Sequence, residues 1–311
     1  MTSRAIKQVV TANKAVEGGG FVIRRSVGSS KLSMVDPFLM LDHFGPTYYK
    51  PGEAVGAPDH PHRGFETVSY ILQGSTQHKD SQNGNGVMNP GDVQWMTAGA
   101  GVVHAEMPDD DLMKNGGTME GFQLWVNLPR KYKMVSPRYQ NIKSDQIPEI
   151  KLQDDRIKIR IIAGFINDIK AVIDTKTQIV FLDIHLTRNV QFSYPLSKDY
   201  NGFIYVYRGQ GKFGIDNVSA TEGQALEFAK DGDCISLQND SSEPCKLLLL
   251  AGIPINEPIA RYGPFVMNTN EEIQQAFADY RAGKMGSIEG AEDRSEATRK
   301  ALEKSGGPIG F

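Results

Sequence analysis

Two short pairs of potential ligands, one at each end of residues 59–107, constrain this chain more than anything else in it. The first is His60-Pro61-His62 and the second is His104-Ala105-Glu106. Successive side chains of an extended strand point to opposite faces, so residues two apart share a face. His60 and His62 can therefore aim at one point, and so can His104 and Glu106. A fold that joins the two pairs assembles three imidazoles and a carboxylate, which is a donor set for a metal ion.

The chain around these pairs reads as strands and turns. Phe21-Val22-Ile23-Arg24-Arg25 follows Gly18-Gly19-Gly20, and the apolar run 38–44 is bounded by Pro37 and Gly45-Pro46. The β-branched and aromatic run 67–72 ends at Gln73-Gly74, and the turn Asn89-Pro90-Gly91-Asp92 precedes Val93-Gln94-Trp95-Met96. Another strand is expected over 120–128. Short strands with turn signals at near-regular intervals predict an all-β sandwich or barrel. Residues 129–150, with Pro129, Pro137 and Pro148, form a polar connection, and strands resume at 157–164 and 179–186.

The second half repeats the first. Tyr70-Ile71-Leu72-Gln73-Gly74 aligns with Tyr205-Val206-Tyr207-Arg208-Gly209, and Gly91-Asp92-Val93 with Gly223-Gln224-Ala225. Extended without gaps, these registers set Pro195 and Ser197 against His60 and His62, and Ser236 and Gln238 against His104 and Glu106. The expected division is a metal-binding unit over 1–135, a second unit without ligands over 136–285, and a tail over 286–311. Thr269-Asn270-Glu271-Glu272 is a capping box that opens a helix, with Ile273, Phe277 and Tyr280 on one face and Gly283 as its stop. A helix over 292–304 would have little apolar face in Ala297, Ala301 and Leu302, so the tail is expected to be mobile or loosely docked.

Composition narrows the function. With 311 residues, 40% hydrophobic and 23% charged, the chain is an ordinary globular one. A net charge of -3 argues against a broad nucleic-acid surface. No apolar run is long enough to span a bilayer, and the N-terminus lacks a signal-peptide core. The only cysteines, Cys234 and Cys245, predict a reducing, cytoplasmic setting rather than a disulfide framework.

Lone histidines on strands are mostly surface or hydrogen-bonded residues, and His43, His78 and His185 are read so. Glu66 lies four residues after His62, hence on the same strand face, and could be a ligand or a partner orienting an imidazole. It is read as a partner orienting an imidazole rather than a ligand. Asp92 is read as turn chemistry. Phe65, Phe122, Trp95 and Trp125 could wall a pocket, although barrel aromatics are more often plain core. The His60, His62, His104 and Glu106 set suits Fe(II), Mn(II), Ni(II), Cu(II) or Zn(II), and lacks the thiolates of structural zinc. Four protein ligands in an octahedral field leave two adjacent positions, enough for a substrate and O₂. A divalent ion with one carboxylate keeps about one positive charge, which favours an enolate or phenolate oxygen.

Four motifs carry a family resemblance. The runs His60-Pro61-His62-Arg63-Gly64-Phe65-Glu66-Thr67-Val68, Met88 to Gly99, His104-Ala105-Glu106-Met107-Pro108 and Gly263 to Glu272 resemble the pirin family of bicupins, over residues 20–285. The resemblance implies two tandem cupin (jelly-roll) barrels with a C-terminal helix and a metal in the first barrel only. By the family's pattern its ligands are His60, His62, His104 and Glu106, with Fe(2+) the usual ion. Some pirins resemble quercetin 2,3-dioxygenases, whose partners are a flavonol-like small molecule and O₂, with ring opening and loss of carbon monoxide. In that reading Glu106 is both ligand and catalytic proton acceptor. Others are non-enzymatic regulators that bind a transcription factor in nuclei or a metabolic enzyme in bacteria, so a protein partner and a redox-dependent surface are the second expectation. A third reading leaves the metal as a staple for the barrel. The tail after Gly286 reads as an extension.

Overall fold

The computed structural model describes residues 1–17 and 19–307, and the chain divides into two compact units. Strands dominate both, as the turn punctuation predicts. The first unit comprises residues 14–25, 41–144 and 256–311. Its four-stranded sheet runs in the order Ala57–His62, Val102–Pro108, Thr76–Asp80, Asn85–Met88. In a seven-stranded sheet Phe65–Gln73 lies between Val93–Thr97 and Gly117–Asn127, antiparallel to both. A short helix that the sequence reading did not anticipate, Asp110–Asn115, is capped by the Asp109 carboxylate accepting from the Leu112 amide.

The second unit comprises residues 1–13, 26–40 and 145–255. It too pairs a four-stranded with a seven-stranded sheet. Its interior is an apolar cluster that includes Ile159, Leu182, Ile184, Ile204, Ile235 and Leu249. Cys234 and Cys245 are buried and free.

The units are not the continuous blocks 1–135, 136–285 and 286–311. Ile6–Thr11 pairs antiparallel with Gln224–Phe228, covering what would otherwise be a bare sheet edge in the second unit. Buried Arg4 anchors this segment, its guanidinium donating to the Gly232, Ser197 and Tyr200 carbonyls. Residues 256–307 instead belong with the first unit.

The duplication is present with a shifted register. In the first unit His60 faces His104 and His62 faces Val102. In the second, Ser193 faces Ser236 and Pro195 faces Cys234. With Ser236 in the place of His104, the positions of His60 and His62 fall to Ser193 and Pro195, not to Pro195 and Ser197. The difference lies in the connection to the next strand, which is residues 196–200 there but only Arg63-Gly64 in the first unit. Either register leaves the second unit without an imidazole at these places.

The expected helix runs Asn270–Arg281 with both hydrogen bonds of the Thr269/Glu272 capping box, and Gly283 follows it at φ 71°. The tail is not loose. Ala291–Ser305 is a helix whose Thr298 and Ala301 are buried, and Ala301 joins an apolar cluster with Tyr49, Ala54, Val55, Leu112 and Met119. Its apolar face is narrow but falls where the unit has small and apolar residues to receive it. No helix among the described residues is long and apolar enough to cross a membrane.

Candidate metal centre

The ladder between Ala57–His62 and Val102–Pro108 builds the site. His60 lies directly opposite His104, and His62 two residues on shares the face of His60. One ring nitrogen from each of His60, His62 and His104 lies within 4.8 Å of the other two. Ring centroids are 4.3 Å apart for His60 and His104, 4.8 Å for His60 and His62, and 4.9 Å for His62 and His104.

Backbone carbonyls set the tautomers. His60 Nδ1 donates to the Pro58 carbonyl at 2.8 Å, and His62 Nδ1 to the Pro264 carbonyl at 3.3 Å. A carbonyl only accepts, so each Nδ1 carries a proton, and in the neutral tautomer so fixed Nε2 is the nitrogen with the lone pair. His104 is buried, and neither of its ring nitrogens has a hydrogen-bond partner among the described residues. A buried imidazole bare on both sides is costly unless something else satisfies it, and at one of the two nitrogens a metal ion could. Burial first, then the neighbouring His60 charge, holds the His62 and His104 imidazolium forms well below the ordinary value. Both rings are therefore neutral at neutral pH.

Glu106 stands apart from the trio. The ladder to the His60 strand slips after His104, so that Glu106 faces Ala57 and the two residues Pro58 and Asp59 oppose Ala105 alone. Such a bulge re-aims side chains. The half-buried Glu106 carboxylate accepts the Ser69 hydroxyl at 2.6 Å and the Gln123 amide at 3.0 Å. The three-nitrogen cluster does not include it.

Glu66 is placed differently from the sequence expectation. The Arg63-Gly64 turn interrupts the strand, so two-residue alternation does not carry from His62 to Glu66. Gly64 takes φ 86°, and a β-carbon there would lie 2.0 Å from the Val266 carbonyl, so only glycine fits. Glu66 shares a strand face with Val68 and Tyr70 and accepts the Thr97 hydroxyl at 2.6 Å. Lys133, pulled down to about 8 by burial, pins the same turn by donating to the Gly64 and Val266 carbonyls and to Asn127.

His78 is hydrogen-bonded as expected, to Asp80 at 2.9 Å, but it also borders the site, its ring 5.6 Å from that of His104. Tyr139 packs on it at 4.8 Å, and its buried hydroxyl has no hydrogen-bond partner among the described residues. Burial and the charges of Asp80 and Glu106 push the Tyr139 phenol up, so it remains a donor. Of the aromatics, Phe65 and Trp125 pack on His62 with centroids 5.1 and 5.3 Å away, and the Arg261 guanidinium covers Trp125 at 4.6 Å. Trp95 and Phe122 are fully buried core. His43 bonds Glu120, His185 bonds Tyr207, and Asp92 accepts the Asn89 amide as turn chemistry. Spacing alone could not reveal Pro58, Pro264, Ser69, Gln123 or Tyr139, because each arrives from another strand or acts through its backbone.

Comparison with known proteins follows this geometry. The family model "Pirin" matches residues 20–126, and "Pirin C-terminal cupin domain" matches residues 181–286. A pirin-like protein of Solanum lycopersicum is 42% identical over 283 residues, covering 91% of this chain and 93% of its own. The crystal structure of a quercetin 2,3-dioxygenase from Acinetobacter baumannii has 36% identity and a TM-score of 0.86, covering 93% of this chain and all of its own. The nickel(II) complex of the bacterial pirin YhhW from Escherichia coli shares the fold at 18% identity and a TM-score of 0.60, over 79% of this chain and 99% of its own.

Proposed function

The chain belongs to the pirin family, and from that premise we propose that it is an iron-dependent dioxygenase of the quercetin 2,3-dioxygenase type. The observation that carries the reading is the group of three imidazoles, two with Nδ1 turned to a backbone carbonyl and Nε2 left for an ion, and one bare at both nitrogens. The identity to the Acinetobacter baumannii enzyme supports the choice of substrate class, a flavonol that takes up O₂ and loses carbon monoxide.

His60, His62 and His104 would hold the metal, with Glu106 as the fourth ligand. When bound, iron supplies Lewis acidity toward a phenolate oxygen and a redox partner for O₂. The protein's own part is proton handling and enclosure. Glu106 takes the flavonol hydroxyl proton onto a carboxylate oxygen that Ser69 and Gln123 keep oriented. Phe65 and Trp125 offer an apolar flank at His62 for a flat aromatic substrate. We place this activity in the cytoplasm, or also the nucleus in a eukaryotic cell, and fractionation tests that setting.

The deciding experiment is aerobic turnover of quercetin by protein reconstituted anaerobically with Fe(II). His104→Ala and Glu106→Gln are assayed beside it. The flavonol absorbance should fall with wild type, stay unchanged with His104→Ala, and fall about 10²-fold or more slowly with Glu106→Gln, the usual scale for a positioned base. Stoichiometric iron without turnover by the wild type would overturn the enzymatic reading.

A further inference from the structure

We infer that the C-terminal helix Ala291–Ser305 is a clamp on the ligand strand, with Arg294 as a positioning residue for the metal. The inference rests on the metal reading above. Ala57–His62 is the edge strand of its four-stranded sheet, so only one of its sides is paired. It is also where the ladder is broken, because Pro58 and Asp59 together oppose the single residue Ala105. That bulge matters for binding. The Pro58 carbonyl, within it, fixes the His60 ring by accepting from Nδ1 at 2.8 Å. Any rocking of Asp59 moves both ends of that hydrogen bond.

Arg294 grips Asp59 with both arms of its fork. Nε donates to Oδ1 at 2.6 Å and Nη2 to Oδ2 at 2.9 Å. The two side chains are each only 12% exposed, which separates this pair from the weak ion pairs of an open surface. The guanidinium is itself braced by the Glu289 and Ile288 carbonyls just before the helix. Toward the neighbouring strand Val102–Pro108 the first half of the helix packs less closely. A cavity of about 350 Å³ separates it from the outward face of Ala105 and Met107, and Arg294 stands on its wall. The ion pair is the charged tie between the start of this helix and the ligand strand. Outer partners of metal ligands change metal affinity by about 10–100-fold when removed, and Arg294 acts one step further out, through the Pro58–His60 contact. The helix lies beyond residue 286, where the match to the family's second domain ends.

The test is the affinity of the full-length protein for Ni(II), measured by calorimetric titration, for wild type, Arg294→Gln, Arg294→Lys and Arg299→Gln. Arg299 lies on the same helix but is 57% exposed and pairs with Glu296 and Glu303 of its own helix, so it controls for helix stability. The clamp predicts about tenfold weaker binding for Arg294→Gln, partial recovery for Arg294→Lys, and wild-type affinity for Arg299→Gln. Thermal midpoints of the metal-free proteins are recorded alongside and should stay within a few degrees of one another. Wild-type affinity in Arg294→Gln, or an equal loss in Arg299→Gln, overturns the clamp while leaving the metal site standing. A wild-type protein that binds no Ni(II) at all overturns the site and the clamp together.

Discussion

His104 is the residue at which the site's physics is most exposed. It is buried, bare at both nitrogens and surrounded by His60, His62 and His78, so a proton on it has nowhere favourable to sit. The consequence for stability has a definite sign. Its folded-state value, like that of His62, lies well below the roughly 6.5 of the unfolded chain. Between those two values the unfolded state binds more protons, so the metal-free protein keeps its full stability above about pH 6.5 and loses it progressively below. Denaturation midpoints of metal-free wild type and His104→Leu at pH 7.5 and 5.5 check this. The wild type should fall more steeply toward pH 5.5, and parallel losses would mean that burial of the neutral ring is not the source. The trio itself was legible from the sequence because strand alternation is a rigid rule within one strand. Glu66 was misplaced for the same reason, since the rule was carried across the Arg63-Gly64 turn, where it no longer applies.

At the scale of elements, legibility depended on whether the signal was local. The helix Asn270–Arg281 announces itself by a capping box, which needs only four consecutive residues, and the structure has both of its hydrogen bonds. The strands around the ligand pairs are bounded by glycine and proline turns that act locally as well. The C-terminal helix carries no such evidence of docking. Its Thr298 and Ala301 are small, and their burial depends on the receiving surface around Tyr49, Ala54 and Leu112, more than 180 residues earlier. Hydrophobic periodicity undervalues a helix that is held by an ion pair and small residues instead of a broad apolar stripe. The same blindness to distance explains the boundaries. That Ile6–Thr11 completes the sheet of the second unit is set by the bare edge at Gln224–Phe228, which no property of the first eleven residues reveals.

At the scale of the whole molecule, one architecture has been used twice to different ends. The second unit fills its interior with Ile159, Leu182, Ile184, Ile204 and Leu249, while the first admits His60, His62, His78, His104, Tyr139 and Glu106 to the corresponding space. An apolar interior needs no ion to be stable, whereas buried imidazoles without partners are a cost that a bound ion removes. Metal should therefore add its folding free energy to one unit only. At a free Ni(II) concentration a hundredfold above the dissociation constant, that energy is about 2.7 kcal/mol, or about a hundredfold slower opening. Amide hydrogen exchange with and without Ni(II) reads the two units separately within the intact chain. Protection should rise by up to about a hundredfold in Ala57–His62, Thr76–Asp80 and Val102–Pro108. It should stay unchanged in Val190–Pro195 and Cys234–Asn239, the strands that hold Ser193, Pro195 and Ser236 where the first unit has its imidazoles. Equal slowing in both sets would mean that the two units open as one body, and that the metal stabilises the duplicated fold as a whole.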